Sequence, residues 1–140
     1  MADVFNPKFG TPHRLGYYYT DSITADTNRA CLSVGANAIT AVPMPYSGKI
    51  IAITAKSSAT VTVGTITFNP SVAGTVNTAL SAVLGTTAAQ TNATYATITP
   101  NSMRFTAGQV IGAMFTTTTD ATPTNSNDFM VSVWVSIDPD

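Results

Sequence analysis

The feature that most constrains this chain is a run of 47 residues, 57–103, in which Tyr95 is the only side chain that can ionise. Thr, Ala, Val, Ser, Gly, Asn, Ile and Leu make up almost all of this run, and the whole sequence contains no Glu. Enzymes rely mostly on His, Asp, Glu, Cys and Lys to move protons, attack substrates or hold metals. β-Branched and small polar residues instead favour strands. This third of the chain therefore predicts β structure and argues against an enzyme.

The composition fits a single folded domain that associates with other chains. With 140 residues, 44% of them hydrophobic, the chain is long enough to bury a real core. Charged residues make up only 9%, whereas a typical soluble domain has roughly 25%. Because low surface charge promotes association, we expect an oligomer or a component of a larger assembly.

The charges give no reason to expect nucleic acid as a partner. The formal net charge is -1, and phosphate binding needs clustered Lys and Arg side chains. The six basic residues are instead scattered along the sequence: Lys8, Arg14, Arg29, Lys49, Lys56 and Arg104.

Neither disulfides nor membrane segments are expected. A single cysteine, Cys31, excludes an internal disulfide, and we predict that it is a small core residue. The first ten residues lack the apolar run of a signal peptide, and no window approaches the roughly 18–20 apolar residues of a membrane span.

Residues 1–28 differ from the rest in composition and in hydrophobic pattern. They predict an extended N-terminal arm, with a β domain over residues 29–140. No period of 2 or 3.6 is sustained in the arm, so its aromatic residues need another surface to bury them. The predicted partner-binding residues of the arm are Phe5, Phe9, His13, Arg14, Leu15, Tyr17, Tyr18 and Tyr19.

From residue 30 onward the pattern alternates between strands and turns. Predicted strands cover residues 30–34, 36–42, 49–55, 59–68, 75–84, 95–99, 110–117 and 129–137. Residues 49–55 are dense in apolar side chains and predict a central strand. A bulge at Gly64 would bring Val61, Val63, Ile66 and Phe68 to one face. Asn69-Pro70-Ser71 is a turn signal.

The last strand carries the clearest alternation. Its odd positions from Phe129 to Ile137 are apolar and face one way, while Met130, Ser132, Trp134 and Ser136 face the other. No ten-residue window has convincing helical spacing. Seven to nine short strands at intervals of about 8–12 residues are typical of an antiparallel β-sandwich or jelly roll, and this all-β fold is our prediction.

Candidate chemical sites are few. His13 beside Arg14 is the one place where a catalytic or anionic site is suggested, but no carboxylate lies near it in sequence, and we favour an arm contact with a partner. No calcium-loop or zinc spacing is present. We therefore predict no catalytic residues, metal or cofactor.

Some acidic and aromatic residues admit a second interpretation. The acidic residues Asp120, Asp128, Asp138 and Asp140 could surround a cation, although we favour solvated loop and terminal charges. The three tyrosines, 17–19, could stack on a sugar, but we favour packing on a neighbouring subunit. Trp134 is either a ligand platform or buried between subunits or under a loop.

Three segments resemble structural proteins of tailed bacteriophages. These are the strand of residues 48–53 (Gly-Lys-Ile-Ile-Ala-Ile), the turn of residues 105–112 (Phe-Thr-Ala-Gly-Gln-Val-Ile-Gly) and the alternating valine strand of residues 129–135. Jelly-roll domains of that group have a G-x-I strand and an F-x-A-G-D-x-I-G turn. Gln109 replaces the usual Asp of the turn, so a role tied to that carboxylate is not carried over. The likeness covers roughly residues 47–137.

A small single-domain member led by an arm looks like a head decoration (cement) protein. The resemblance implies a homotrimer on the capsid exterior that bridges capsomers of the major capsid protein, made in the host cytoplasm. The alternative is the tip of a fibre or spike that binds a host glycan through loops 85–92 and 116–127. The absence of a shaft-like repeat favours decoration.

Overall fold

The computed structural model describes residues 12–20, 28–34, 39–58, 60–85, 90–91, 103–118, 121 and 128–138, and within them all regular structure is β. Twelve strands form two antiparallel sheets. The prediction of an all-β sandwich of jelly-roll type is confirmed.

Sheet A is built around the longest strands of the chain. Its members are β1 (Pro12–Tyr19), β3 (Leu32–Ser33), β5 (Gly48–Ser57), β9 (Gln90–Thr91), β10 (Arg104–Phe105) and β12 (Phe129–Ile137). The order across the sheet is β10-β5-β12-β1-β3, and β9 pairs with the other end of β5. The predicted central strand is therefore β5, which has neighbours on both sides.

Sheet B contains the remaining strands. They are β2 (Arg29–Ala30), β4 (Ala41–Pro43), β6 (Ile66–Val72), β7 (Thr75–Val76), β8 (Ala82–Leu84) and β11 (Val110–Thr117). The order is β2-β11-β6-β7, with β4 also on β11 and β8 also on β6. The chain crosses repeatedly between the two sheets, since β1 to β6 belong alternately to sheets A and B.

The core lies between the sheets and follows the period of two. In β12, Val131, Val133 and Val135 are fully buried, as the alternation predicts. At one end of the core, four aromatic rings from both sheets pack together at centroid distances of 4.7–6.4 Å: Tyr19, Phe68, Phe115 and Phe129. Cys31 is also fully buried, which confirms its predicted place in the core.

The prediction that residues 1–28 form an arm outside the β domain is wrong for residues 12–19. They form β1, which pairs over its full length with β12, from Pro12 opposite Ser136 to Tyr19 opposite Phe129. Its other side pairs with β3. Tyr17 and Tyr19 point into the core, while Tyr18 points outward. Because all three residues are tyrosine, the sequence shows no alternation between apolar and polar side chains here. Residues 1–11 and 21–27 of the predicted arm lie outside the described residues.

Asn69-Pro70-Ser71 is not a turn but the middle of β6, and the chain turns at Ala73-Gly74 instead. The carbonyl of Pro70 accepts a hydrogen bond from the backbone N–H of Asn77. The nitrogen and carbonyl of one strand residue face the same side, so the nitrogen of Pro70 faces away from β11. On that side β7 pairs only with residues 71–72 and β8 only with residues 66–68. Proline is tolerated because no ladder bond is required from it there.

Two other strand predictions need correction. Gly64 has a φ of 72°, a left-handed conformation that suits glycine, but it does not unite the two apolar pairs. Val61 is buried while Val63 is 46% exposed, and the regular strand begins only at Ile66. The predicted strand 75–84 is two short strands, β7 and β8, separated by a turn. The predicted strand 95–99 lies outside the described residues.

Candidate partner-binding surfaces

Tyr17 and Tyr19 are part of the core, so neither side chain is presented to a partner. The Tyr17 hydroxyl donates a hydrogen bond across the sandwich to the backbone carbonyl of Ile111 in β11, at 2.5 Å. Burial, with a smaller effect of neighbouring Cys31, raises the pKa of the Tyr17 phenol well above its usual range. The phenol therefore stays protonated and remains a donor. Burial also raises the pKa of the Cys31 thiol to about 12, which keeps it a neutral, unreactive core residue.

The ring of Tyr19 packs against neighbouring aromatic rings and against a guanidinium group. Its ring packs edge-on against Phe115 at 4.7 Å, and the guanidinium of Arg29 lies 5.2 Å from its centroid. The cation–π contact covers the end of the core at this point. Two of the three tyrosines predicted to bind a partner thus stabilise the fold.

The other alternate residues of β1 lie on the outer face of sheet A, where their side chains form rows across the strands. One row is large and runs from Leu32 through Tyr18 and Met130 to Lys56. The next row is small: Gly16, Ser132 and Thr54. The third row is Arg14, Trp134 and Ala52. Part of the space above the small row is taken by Arg14, whose Nε lies 2.7 Å from Ser132 Oγ, and by Val34, which lies beside Gly16.

The large row borders a groove of about 700 Å³, which we call the sheet A groove. It is lined by residues of β1, β5, β12 and the adjoining turns, among them Arg14, Tyr18, Val34, Lys56, Asp128 and Met130. Met130 is 57% exposed and Val34 62% exposed. The described lining of the groove therefore combines an exposed apolar surface with two cations and one carboxylate.

Arg14 is held in a fixed orientation beside this groove. Its Nε donates to Ser132 Oγ at 2.7 Å, and its Nη2 lies 3.7 Å from Met130 Sδ. A guanidinium has five N–H donors, so these contacts leave others for a partner. Within the described part of the chain, neither Arg14 nor Lys56 forms an ion pair.

A second, smaller depression of about 360 Å³, the end groove, lies where sheets A and B meet. His13, Arg14 and Leu15 of β1 border it on one side, and the segment from Val42 to Tyr46 on the other. Tyr46 is 57% exposed. The structure thus brings His13 and Leu15 together with an exposed aromatic ring that the sequence did not single out. Phe5 and Phe9 lie outside the described residues.

The acidic residues do not converge on one cation. Asp128 precedes β12 and Asp138 follows it, so about 30 Å separates the two, given roughly 3.3 Å per strand residue. Asp138 pairs with Arg104. The hypothesis of a shared site is therefore wrong for these two residues, and Asp120 and Asp140 lie outside the described part. In that part, no group of three or more His, Cys, Asp or Glu side chains is placed to hold a metal.

Sequence reasoning missed Val34, Lys56, Asp128 and Met130 as members of a common surface. The alternation of side chains along β12 did predict that Met130 and Trp134 share the face away from the core. It could not place Lys56 or Val34 there, because that requires the pairing of β5 with β12 and of the chain after β3 with β1. Trp134 is half-buried on this face.

Comparison with known proteins gives one structural likeness. No protein-family model and no curated protein sequence matches the chain. The fold is similar to that of a chain described as part of the cyanophage Pam1 capsid asymmetric unit, with a TM-score of 0.50 and 13% sequence identity. The alignment covers 98% of this chain and 92% of the other, so the two chains are of similar length. At this identity the likeness shows the fold alone. No helix among the described residues is long and apolar enough to cross a membrane.

Proposed function

We propose that this protein is a structural component of a phage particle, a decoration (cement) protein on the exterior of the head that bridges capsomers of the major capsid protein. The observation that carries the proposal is the likeness to a chain of a phage capsid asymmetric unit over nearly the whole of both chains. The motifs of residues 48–53 and 105–112, which resemble those of phage jelly-roll domains, agree with it. The scarcity of catalytic side chains over residues 57–103 agrees with a non-enzymatic role.

Decoration would stabilise the shell by mass action. A protein that binds only the assembled shell stabilises each site by RT ln(1 + [L]/Kd), which is about 2.7 kcal/mol at a concentration of 100 times Kd. A trimer with three weak contacts would also gain avidity, because the second and third contacts form within one complex. Residues 1–11, with Phe5 and Phe9, are proposed to add to attachment as a shortened arm.

A glycan-binding fibre or spike domain is the second candidate. It is favoured by the end groove, where the exposed ring of Tyr46 lies near His13. Aromatic faces and adjacent hydrogen-bond donors suit sugars. The loops 85–92 and 116–127, which the sequence suggested for this role, lie largely outside the described residues.

The direct experiment measures binding to purified capsid shells that lack this protein. Shells are incubated with increasing amounts of the purified chain and sedimented, the bound chain is quantified, and the temperature of shell disruption is recorded. Decoration predicts saturable binding and a disruption temperature that rises with occupancy. Absence of binding, together with specific signals on a glycan array, would replace decoration by the glycan-binding function.

A further inference from the structure

On the outer faces of both sheets, some side chains are covered by the chain itself. On sheet B, the Asn69 side chain donates to Leu80 O at 3.1 Å and to Ser81 Oγ at 2.6 Å, so the segment around Leu80 lies beside this side chain. A Cβ on Gly112 would lie 3.0 Å from the carbonyl oxygen of Thr40, which covers the same face at its other end. Asn69 and Ser71 are consequently buried although they point away from the core.

On sheet A the cover is uneven among the described residues. Ser132, which accepts a hydrogen bond from Arg14, is only 5% exposed. Met130 lies in the middle of the sheet, on β12 between β1 and β5, yet more than half of it is exposed. Val34 lies beside Gly16 and is also exposed. Exposed apolar side chains at the centre of a sheet, bordering a groove of about 700 Å³, form a surface that a partner side chain can contact.

The charges indicate which partner chemistry fits. Among the described residues that line the groove, Arg14 and Lys56 are cations and Asp128 is the one carboxylate. The guanidinium of Arg14 is already oriented by Ser132, so little side-chain entropy is lost when it binds a carboxylate. Beside it, Met130, Tyr18 and Val34 offer contact to an apolar residue. The complement is a segment in which an acidic side chain lies next to an apolar one.

We propose that the sheet A groove is the surface by which this protein binds the capsid shell, and that it receives an acidic and apolar segment of the shell protein. The inference builds on the proposed decoration function and moves the main attachment from the N-terminal arm to the β-sandwich. Lys56 and Arg14 pair with the partner's carboxylate, and Met130 packs against its apolar side chain.

The test uses two substitutions in the groove and two matched controls on sheet B. Lys56→Glu reverses an exposed charge and Met130→Ala removes an exposed apolar side chain. On sheet B, Thr75→Glu adds a negative charge at an exposed position of β7, and Val83→Ala shortens an exposed apolar side chain of β8. Thermal unfolding of all four variants is compared first, because each changed side chain is exposed and the fold should be retained. Binding to purified shells is then measured by sedimentation at low and high NaCl.

We expect at least about tenfold weaker shell binding for Lys56→Glu, because like charges juxtaposed in an interface are strongly unfavourable. Met130→Ala should weaken binding severalfold, and the two controls should bind as the unchanged protein does. Lys56→Gln should reduce the salt dependence of binding, since one charge pair is lost.

Three outcomes would overturn the inference in distinguishable ways. If the unchanged protein does not bind shells, the decoration function and the inference both fail. If the unchanged protein binds and the two groove variants bind equally well, the inference alone fails and attachment lies elsewhere. If the groove variants change the oligomeric mass in sedimentation while shell binding persists, the groove is a contact between copies of this chain.

Discussion

Tyr17 shows how one polar atom ties the two sheets together. Its ring is buried in the core, and its hydroxyl donates to the carbonyl of Ile111 in the opposite sheet. A buried hydroxyl without an acceptor would be costly, at about 1–3 kcal/mol. Tyr17, which the sequence suggested for contact with a partner, thus connects the two sheets through a hydrogen bond. Its own neighbours, Tyr18 and Gly16, lie on the outer face.

Alkaline pH should weaken the fold, partly through Cys31. The thiol has an ordinary pKa of 9.0 when exposed, and burial raises it to about 12. Above pH 9 the unfolded chain therefore loses this proton while the folded chain keeps it, so stability is full below pH 9 and falls as the pH rises toward 12. The slope from this group approaches about 1.4 kcal/mol per pH unit. Tyr17, whose pKa is also raised, adds a further loss above its ordinary value of 10.0.

The measurement is urea unfolding between pH 7 and 10 for the unchanged protein and for Cys31→Ala. The alanine variant starts less stable because it leaves a cavity, but its stability should fall less steeply above pH 9. The gap between the two proteins should therefore narrow as the pH rises. Parallel curves across the whole range would show that ionisation of Cys31 does not contribute.

Among the strands, β1 decides where the folded β domain begins, because residues 12–19 belong to sheet A. It lies inside sheet A between β12 and β3 rather than at an edge. Removing residues 1–19 would delete Tyr17 and Tyr19 from the core, at roughly 1.5–3 kcal/mol for each large side chain, and would expose the edge of β12. Since domains are stable by only about 5–15 kcal/mol, we expect this truncation to abolish cooperative folding. Removing residues 1–11 keeps β1 and should leave a cooperative transition.

Circular dichroism and thermal unfolding of the two truncated chains check this directly. The shorter deletion serves as the control, because the two deletions differ only by the 8 residues of β1. A chain without residues 1–19 that melts within a few degrees of the full chain would contradict the role given to β1.

What the sequence could predict depends on the length of each element. The long strands β5, β11 and β12 were found because eight to ten residues carry enough alternation or apolar density to define a strand. Strands of two or three residues, such as β2 and β7, carry no period and are fixed by their partners. Pro70 is a turn signal in the sequence, yet it lies within β6. A strand can hold proline there because neither β7 nor β8 pairs with β6 at that residue. The sheet A groove needs three strand pairings, which no local pattern contains.

At the scale of the whole molecule, low charge and an open sheet face both favour association. Charged residues are 9% of the chain, and at such low charge little repulsion keeps copies apart. The number of copies comes from the resemblance to phage decoration proteins, which implies a homotrimer. We therefore predict that sedimentation equilibrium returns about three times the 14.5 kDa of one chain. The mass should be independent of NaCl, since few charges can contribute to the contact. A monomer at high protein concentration would contradict this prediction.

The pairing of β1 with β12 also decides when the protein can fold during its synthesis. These are the first and last strands of the described chain, and they lie side by side along eight residue pairs in the middle of sheet A. A growing chain on the ribosome therefore holds Tyr17, Ile53 and their apolar neighbours without the strand that pairs between β1 and β5 until residues 129–137 have emerged. Pairing across such a long sequence separation is slow, because the loop must close before any contact is gained. Sheet A can therefore be completed only once residues 129–137 have been synthesised.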